Sequence, residues 1–110
     1  MGSRPRMTLT TQLVLKALLE RPLEERYGLE ICSAAGLPSG TIHPILARLE
    51  QVGWVESRWE EGSASEKGRP RRRYYRLTQD GAQQARTSLA EATASTARLT
   101  ALRPHLAPGA

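Results

Sequence analysis

Phenylalanine is absent from this sequence of 110 residues, aromatic residues make up only 5% of it, and there is a single cysteine. Each shortage removes a class of protein. Cys32 alone excludes an internal disulfide, and with only two histidines it argues against a structural zinc site. No apolar run approaches the ~20 residues of a membrane span, and no apolar stretch near the start ends in a small-residue cleavage site. A cytoplasmic protein is therefore expected. There is one aspartate, no glycine-rich phosphate loop, no serine in a nucleophile elbow and no Cys–His pair close in sequence. That predicts no enzyme chemistry, no cofactor and no metal. The hydrophobic content of 39% comes mainly from Leu and Ala, which describes a thin helical core. A chain this short buries roughly 65% of its surface on folding, so a partner surface is expected to add stability.

Charge is concentrated. Net charge is +5, and six of the sixteen basic residues lie between Lys67 and Arg76 with no acid among them. The remainder holds ten basic and eleven acidic residues, so this one segment carries the whole excess. It is an electrostatic footprint for a polyanion.

Residues 1–7 read as a polar, flexible arm. From Thr8 to about Glu20, Leu9, Leu13, Val14, Leu15, Ala17, Leu18 and Leu19 surround a helix buried on more than one side. Pro22 stops it. Leu23, Tyr27, Ile31 and Ala34/Ala35 recur at three- and four-residue spacing and predict a second helix over Glu24 to Ala35. Glu24 and Glu25 would then stand at its positive end, with Gly36 and Pro38 terminating it. Ile42, Ile45, Leu46, Leu49 and Val52 form the stripe of a third helix, closed by Gly53. Ser39 or Thr41 can cap it, and a Thr41 cap puts Pro44 harmlessly in the first turn. Two helices joined by a short glycine-containing turn make a helix-turn-helix. The outer face of the third helix carries Gly40, His43, Pro44, Ala47 and Gln51, with Arg48 at its edge. It is acid-free, which suits either a DNA groove or an ordinary solvated surface.

Trp54 to Glu60 reads as a strand and Arg72 to Leu77 as its return, with Tyr75 and Leu77 on one side. Glu61 to Pro70 reads as a flexible loop between them. A helix-turn-helix followed by a basic hairpin is a winged helix. Thr78 is expected to cap a fourth helix to about Leu102. Along it Ala82, Ala85, Leu89, Ala92, Thr96 and Leu99 alternate as a heptad seam. The expected class is thus mainly α with a small β-hairpin. A winged helix-turn-helix spans residues 8–78, a C-terminal dimerisation helix spans 79–103, and 104–110 form a flexible tail.

Arg69, Arg71, Arg72 and Arg73 flank Pro70, which keeps the run extended. Such a tip can neutralise phosphates in a salt-dependent way or lie in a narrow minor groove. The same string also fits a solvated loop or a nuclear-localisation-like segment. On the third helix, Thr41, His43, Arg48 and Gln51 can reach phosphates or base edges. Ser39 and Thr41 fit either caps or phosphate contacts. Cys32 reads as a small buried residue.

Four strings together resemble the PadR family of transcriptional regulators. They are Tyr27-Gly-Leu-Glu-Ile31, Leu37-Pro-Ser-Gly-Thr-Ile-His-Pro-Ile-Leu-Ala-Arg-Leu-Glu50, Gly53-Trp-Val-Glu-Ser57, and Gly68-Arg-Pro-Arg-Arg-Arg-Tyr-Tyr-Arg-Leu-Thr-Gln-Asp-Gly81. The likeness runs from about Thr8 to Leu102 and points to the shorter branch with one C-terminal helix. It implies a winged-helix homodimer joined through its N- and C-terminal helices, usually repressing a neighbouring gene. Its DNA partner would be a near-palindromic operator with half-sites roughly 34 Å apart. Many relatives release DNA when a small hydrophobic or phenolic molecule binds. On this reading Tyr27, Ser39, Gly40, Thr41, His43, Pro44 and Arg48 meet DNA from the helices. Lys67, Arg69, Arg71, Arg72, Arg73 and Tyr74 meet it from the wing. Leu9, Leu13, Ala82, Ala85, Leu89, Ala92 and Leu99 join the protomers, and the protein would be associated with the nucleoid. Two departures stand out. Leu29 and His43 replace tyrosines common in the family, and only His43 can substitute a polar contact. The C-terminal helix has no aromatic residue, so the tryptophan-sandwich mode of drug binding is not implied. A protein-binding winged helix and a nonspecific nucleic-acid binder are the alternative readings.

Overall fold

Residues 4–102 are described by the computed structural model. The Thr8 hydroxyl accepts the Thr11 N–H (3.2 Å) and starts helix α1, Leu9–Leu19. Val14, Leu15, Ala17 and Leu18 are buried on one broad face, Leu13 and Leu19 are half-buried, and Leu9, expected in the covered ring, is 72% exposed. The next element departs from expectation. Arg26–Tyr27 form a short strand, β1, and α2 covers only Gly28–Ala35. Tertiary contacts hold those two residues extended. Arg26 and Tyr27 pair antiparallel with Tyr75 and Tyr74, Arg26 donates to the Ala17 carbonyl (2.5 Å), and the Glu30 carboxylate accepts the Tyr27 N–H (3.0 Å). Leu23, expected on the buried face, is 73% exposed. Glu25 is not a helix-end charge either; it pairs with Arg58 at 2.6 Å.

Gly36 closes α2 in the left-handed region (φ 70), so its N–H and that of Leu37 both reach the Cys32 carbonyl (2.8 and 3.1 Å). Helix α3, Ser39–Gln51, starts after Pro38. Neither Ser39 nor Thr41 is therefore its cap, and Pro44 sits in the second turn, where it offers no N–H to the Gly40 carbonyl. Ile42, Leu46 and Leu49 face inward. Strand β2, Val55–Trp59, pairs antiparallel with β3, Arg73–Leu77, and the sheet order is β1-β3-β2. The expected hairpin thus gains a third strand. Its connection is not wholly loop, because Ser63 and Glu66 cap one another (3.0 and 3.2 Å) around a one-turn helix, α4, Ala64–Lys67.

Thr78 then caps the last helix, α5, Gln79–Leu102, by accepting the Gly81 N–H (2.9 Å). The Thr78 hydroxyl donates to Gly53 O (2.8 Å), and the Thr78 N–H donates to Trp54 O (2.9 Å). This binds the start of α5 to the end of the α3–β2 turn. Gly81 lies so close that a Cβ there would overlap the Trp54 backbone.

One core collects Val14, Leu15 and Leu18 from α1, Ile31, and Ile42, Leu46 and Leu49 from α3. Trp54, Val55, Tyr75 and Leu77 join from the sheet side, with Ala82 and Ala85 from α5. Burying each large aliphatic side chain contributes about 1.5–3 kcal/mol. Ala82 and Ala85 are consumed by this core and present no seam to a second copy, which corrects that part of the expected dimer surface. Leu89 and Ala92 are half-buried, and residues 93–101 are exposed. The outer half of α5 projects, giving a molecule 60 Å long and 21 Å thin. Residues 4–7 are not a loose arm. Pro5 is buried, Arg4 donates to the Ser88 hydroxyl (2.5 Å), and Met7 packs on the core. The expected tail at 104–110 lies outside the described residues. The fold is a winged helix with a long C-terminal helix.

Candidate nucleic-acid interface

Because Ile42, Leu46 and Leu49 anchor α3, its opposite side must face outward. Ser39, Gly40, His43, Pro44, Ala47, Arg48 and Gln51 are all exposed there, and Thr41 is half-buried. No acid interrupts them. The one carboxylate on the helix, Glu50, turns toward the sheet, where it accepts the Ser57 hydroxyl at 2.6 Å. At the start of α3 the His43 imidazole lies over Gly28; a Cβ on that glycine would come within 3.3 Å of the ring.

The wing sorts its arginines by what holds them. Glu60 directly follows β2, and its carboxylate accepts from both terminal nitrogens of Arg69 (2.9 and 3.0 Å) and from the Arg72 N–H (3.2 Å). The Arg69 guanidinium, helped by the Arg72 amide, holds the Glu60 carboxyl down to about 2 against the opposing effect of burial. Arg69 is therefore a clamp across the base of the wing, and its charge is spent inside the protein. Arg69 still lines the cleft between the wing and the helices, with its charge balanced by Glu60. Arg71 and Arg72 have no carboxylate within ion-pair distance among the described residues, and Arg73 has only Glu50 at 3.8 Å. Aromatic rings hold these three instead. Arg71 and Arg73 lie over the Trp59 ring (5.7 and 5.1 Å), and Arg72 lies over Tyr27 (3.9 Å). A ring attracts a cation without cancelling its charge, so the field of these arginines still reaches outward.

Tyr27 meets Tyr74 edge to face (6.2 Å), Arg58 covers Tyr74 (5.1 Å), and Glu25 grips Arg58 through two bonds (2.6 and 2.8 Å). That stack ties the start of α2 to the wing, and it places Tyr74 chiefly as support. Arg58 holds the Glu25 carboxyl below its usual range.

A cleft of about 430 Å³ opens between the starts of α2 and α3 and the wing. It brings together Tyr27 from β1, Ser39 and His43 from α3, and Arg71, Arg72 and Arg73 from the wing. Leu29, 70% exposed, also lines it and supplies an apolar wall where no polar contact is available. Lys67 and Tyr74 are not part of this cleft; they line a separate hollow with Arg58, Glu60 and Glu61. Arg48 lies toward the other end of α3, beside Arg6 and the start of α1, around a hollow of about 250 Å³. Arg6, which lines the hollow beside Arg48, and Trp59, which lines the cleft, are among the lining residues that the sequence does not single out. The arm's polar composition hid the first. The second reads as a strand aromatic until the hairpin is paired, which sets it opposite Arg73.

The model of the transcriptional regulator PadR-like family matches residues 14–87. No curated protein matches the chain. Among solved structures, the chain is 32% identical to disulfide-formed AbfR, over 80% of this chain and 54% of that one, with a TM-score of 0.61. It is 31% identical to reduced AbfR bound to DNA, over 81% of this chain and 58% of that one, at 0.58. The chain therefore spans little more than half the length of AbfR. A PadR-like transcription factor from Bacteroides fragilis is 27% identical over 90% of both chains, with a TM-score of 0.59.

Proposed function

The chain belongs to the transcriptional regulator PadR-like family, and on that premise we propose that this DNA-binding regulator works as a homodimeric repressor of a nearby gene. One observation carries the DNA-reading part. An acid-free exposed face on α3 stands beside three arginines whose charge no tight ion pair cancels. Phosphates draw such a surface onto duplex DNA, and base edges are then read by the helix in the major groove. The wing follows the neighbouring backbone or minor groove. That reduced AbfR is solved bound to DNA supports the same partner here. Two copies related by a two-fold axis require a near-palindromic site with half-sites about 34 Å apart. Release by a small hydrophobic molecule, through a change in that spacing, completes the proposal.

The test is selection of bound sequences from a pool of random duplexes. A recovered motif with two-fold symmetry is the expected result, and recovery of sequences with no shared motif overturns it. On the selected duplex, Arg71→Ala/Arg72→Ala/Arg73→Ala should weaken binding and lower the salt slope by roughly 5, about 0.9 for each of the six phosphates that the two wings no longer neutralise.

A further inference from the structure

Resting on that reading, we propose that Trp59 is a positioning residue for DNA binding, holding Arg71 and Arg73 aimed into the cleft before DNA arrives. Three observations converge on it. Trp59 is 53% exposed, although the other tryptophan, Trp54, is buried in the core. Its ring is shared by two guanidinium groups, at 5.7 and 5.1 Å. It stands opposite Arg73 in the β2–β3 register, so both side chains emerge on the same face of the sheet.

The arrangement answers a problem posed by a basic wing. Three adjacent arginines repel one another, and each loses side-chain entropy when a phosphate fixes it. A carboxylate would order them but would cancel the charge that DNA needs, as Glu60 does for Arg69. An indole face orders them and leaves the charge available. Arg71 is held at its other side by the Glu60 carbonyl, which accepts from Nε at 2.9 Å and leaves the terminal nitrogens for a phosphate. Trp59 thus sets direction and spacing, while the arginines make the contacts.

The experiment titrates the selected duplex across salt concentration with wild type, Trp59→Ala, Trp59→Leu, Trp59→Phe and Arg71→Ala. Trp59→Ala and Trp59→Leu should each bind at least about tenfold more weakly, because DNA must then bear the ordering cost of arginines the ring no longer holds. Their salt slope should match wild type, because the arginines still reach the phosphates. Trp59→Phe should recover most of the affinity. Arg71→Ala, by contrast, should lower the slope by roughly 2, about 0.9 for each of the two wings. Leu keeps apolar bulk without a π-face, so equal binding by the Leu and Phe variants overturns the proposal. It is also overturned if Trp59→Ala binds like wild type or shares the reduced slope of Arg71→Ala. If wild type selects no duplex, the DNA-binding reading itself fails, which is a separate outcome.

Discussion

Replacing a helical glycine by alanine ordinarily stabilises a protein by about 1 kcal/mol, because alanine loses less backbone entropy on folding. At Gly81 the sign reverses. The first turn of α5 is pressed onto the Trp54 carbonyl, and an added Cβ would overlap backbone atoms that cannot rotate away. Forcing the helix off the core costs about 1–3 kcal/mol, typical of overpacking. Gly81→Ala should therefore lower Tm by roughly 5–15 °C, since a domain this small loses 4–8 °C per kcal/mol. Calorimetry on the purified variant measures it, and an unchanged or raised Tm contradicts the geometry. Thr78→Ala, which removes the cap and the bond to Gly53, should act in the same direction. Thr78 is legible in the sequence as a cap because Ser and Thr before a helix have that local chemistry. The need for glycine three residues later is not legible, since it depends on a backbone atom brought in from the α3–β2 turn. Arg69 shows the same limit. Its place in a basic run was plain, but its pairing with Glu60 required the hairpin to be closed.

The wing is the element in which charge and order are coupled. Glu60 accepts from Arg69 and from the Arg72 amide only as a carboxylate, and its carboxyl is held down to about 2 from the usual 4.5. The contribution to wing order is complete above pH 4.5 and is lost as pH falls toward 2. Backbone and guanidinium NMR shifts of Arg69 and Arg72 should move together in a step centred near pH 2, where Glu60 of the folded protein takes up its proton, while core methyl signals of Leu46 and Leu49 stay native. Glu60→Gln should show the low-pH pattern already at neutral pH, with no transition. Persistence of the wild-type transition in that variant assigns it to another carboxyl and defeats the clamp. Strands β2 and β3 are readable because aromatic and β-branched residues flank a turn-rich stretch. Strand β1 is not, since two residues cannot show an alternating pattern, and Leu23, Tyr27 and Ile31 fall by chance on a helical spacing. The α4 turn had a signal in Ser63-Ala-Ser-Glu66, a capping box that reads as loop when composition alone is weighed.

For the whole molecule, the decisive feature is a helix half of which has nothing to pack on. Residues 93–101 are exposed, and a helical stretch of that length is marginal alone in water. Leu99 is 63% exposed near its end, and Leu9 is 72% exposed at the start of α1. The heptad spacing through Leu89, Ala92, Thr96 and Leu99 was visible in the sequence. Which positions the protomer's own core would claim was not, because that division is set by how closely Gly81 lets α5 approach Trp54. With Ala82 and Ala85 buried in the protomer's own core, only the outer part of that spacing is open to a partner. Leu9→Glu/Leu99→Glu touches no core residue, so the sheet and α1–α3 should keep their native near-ultraviolet signal. Sedimentation should nevertheless report monomers, and circular dichroism should lose about the outer two turns of α5. Operator affinity should fall by roughly 100-fold or more, the loss expected when two linked half-sites become independent. A Leu89→Glu variant is the poorer probe, because Leu89 packs against the core and its loss would confuse unfolding with dissociation. If the double variant sediments like wild type and binds the selected duplex with equal strength, the outer half of α5 and the start of α1 are not the surface that pairs the two readers.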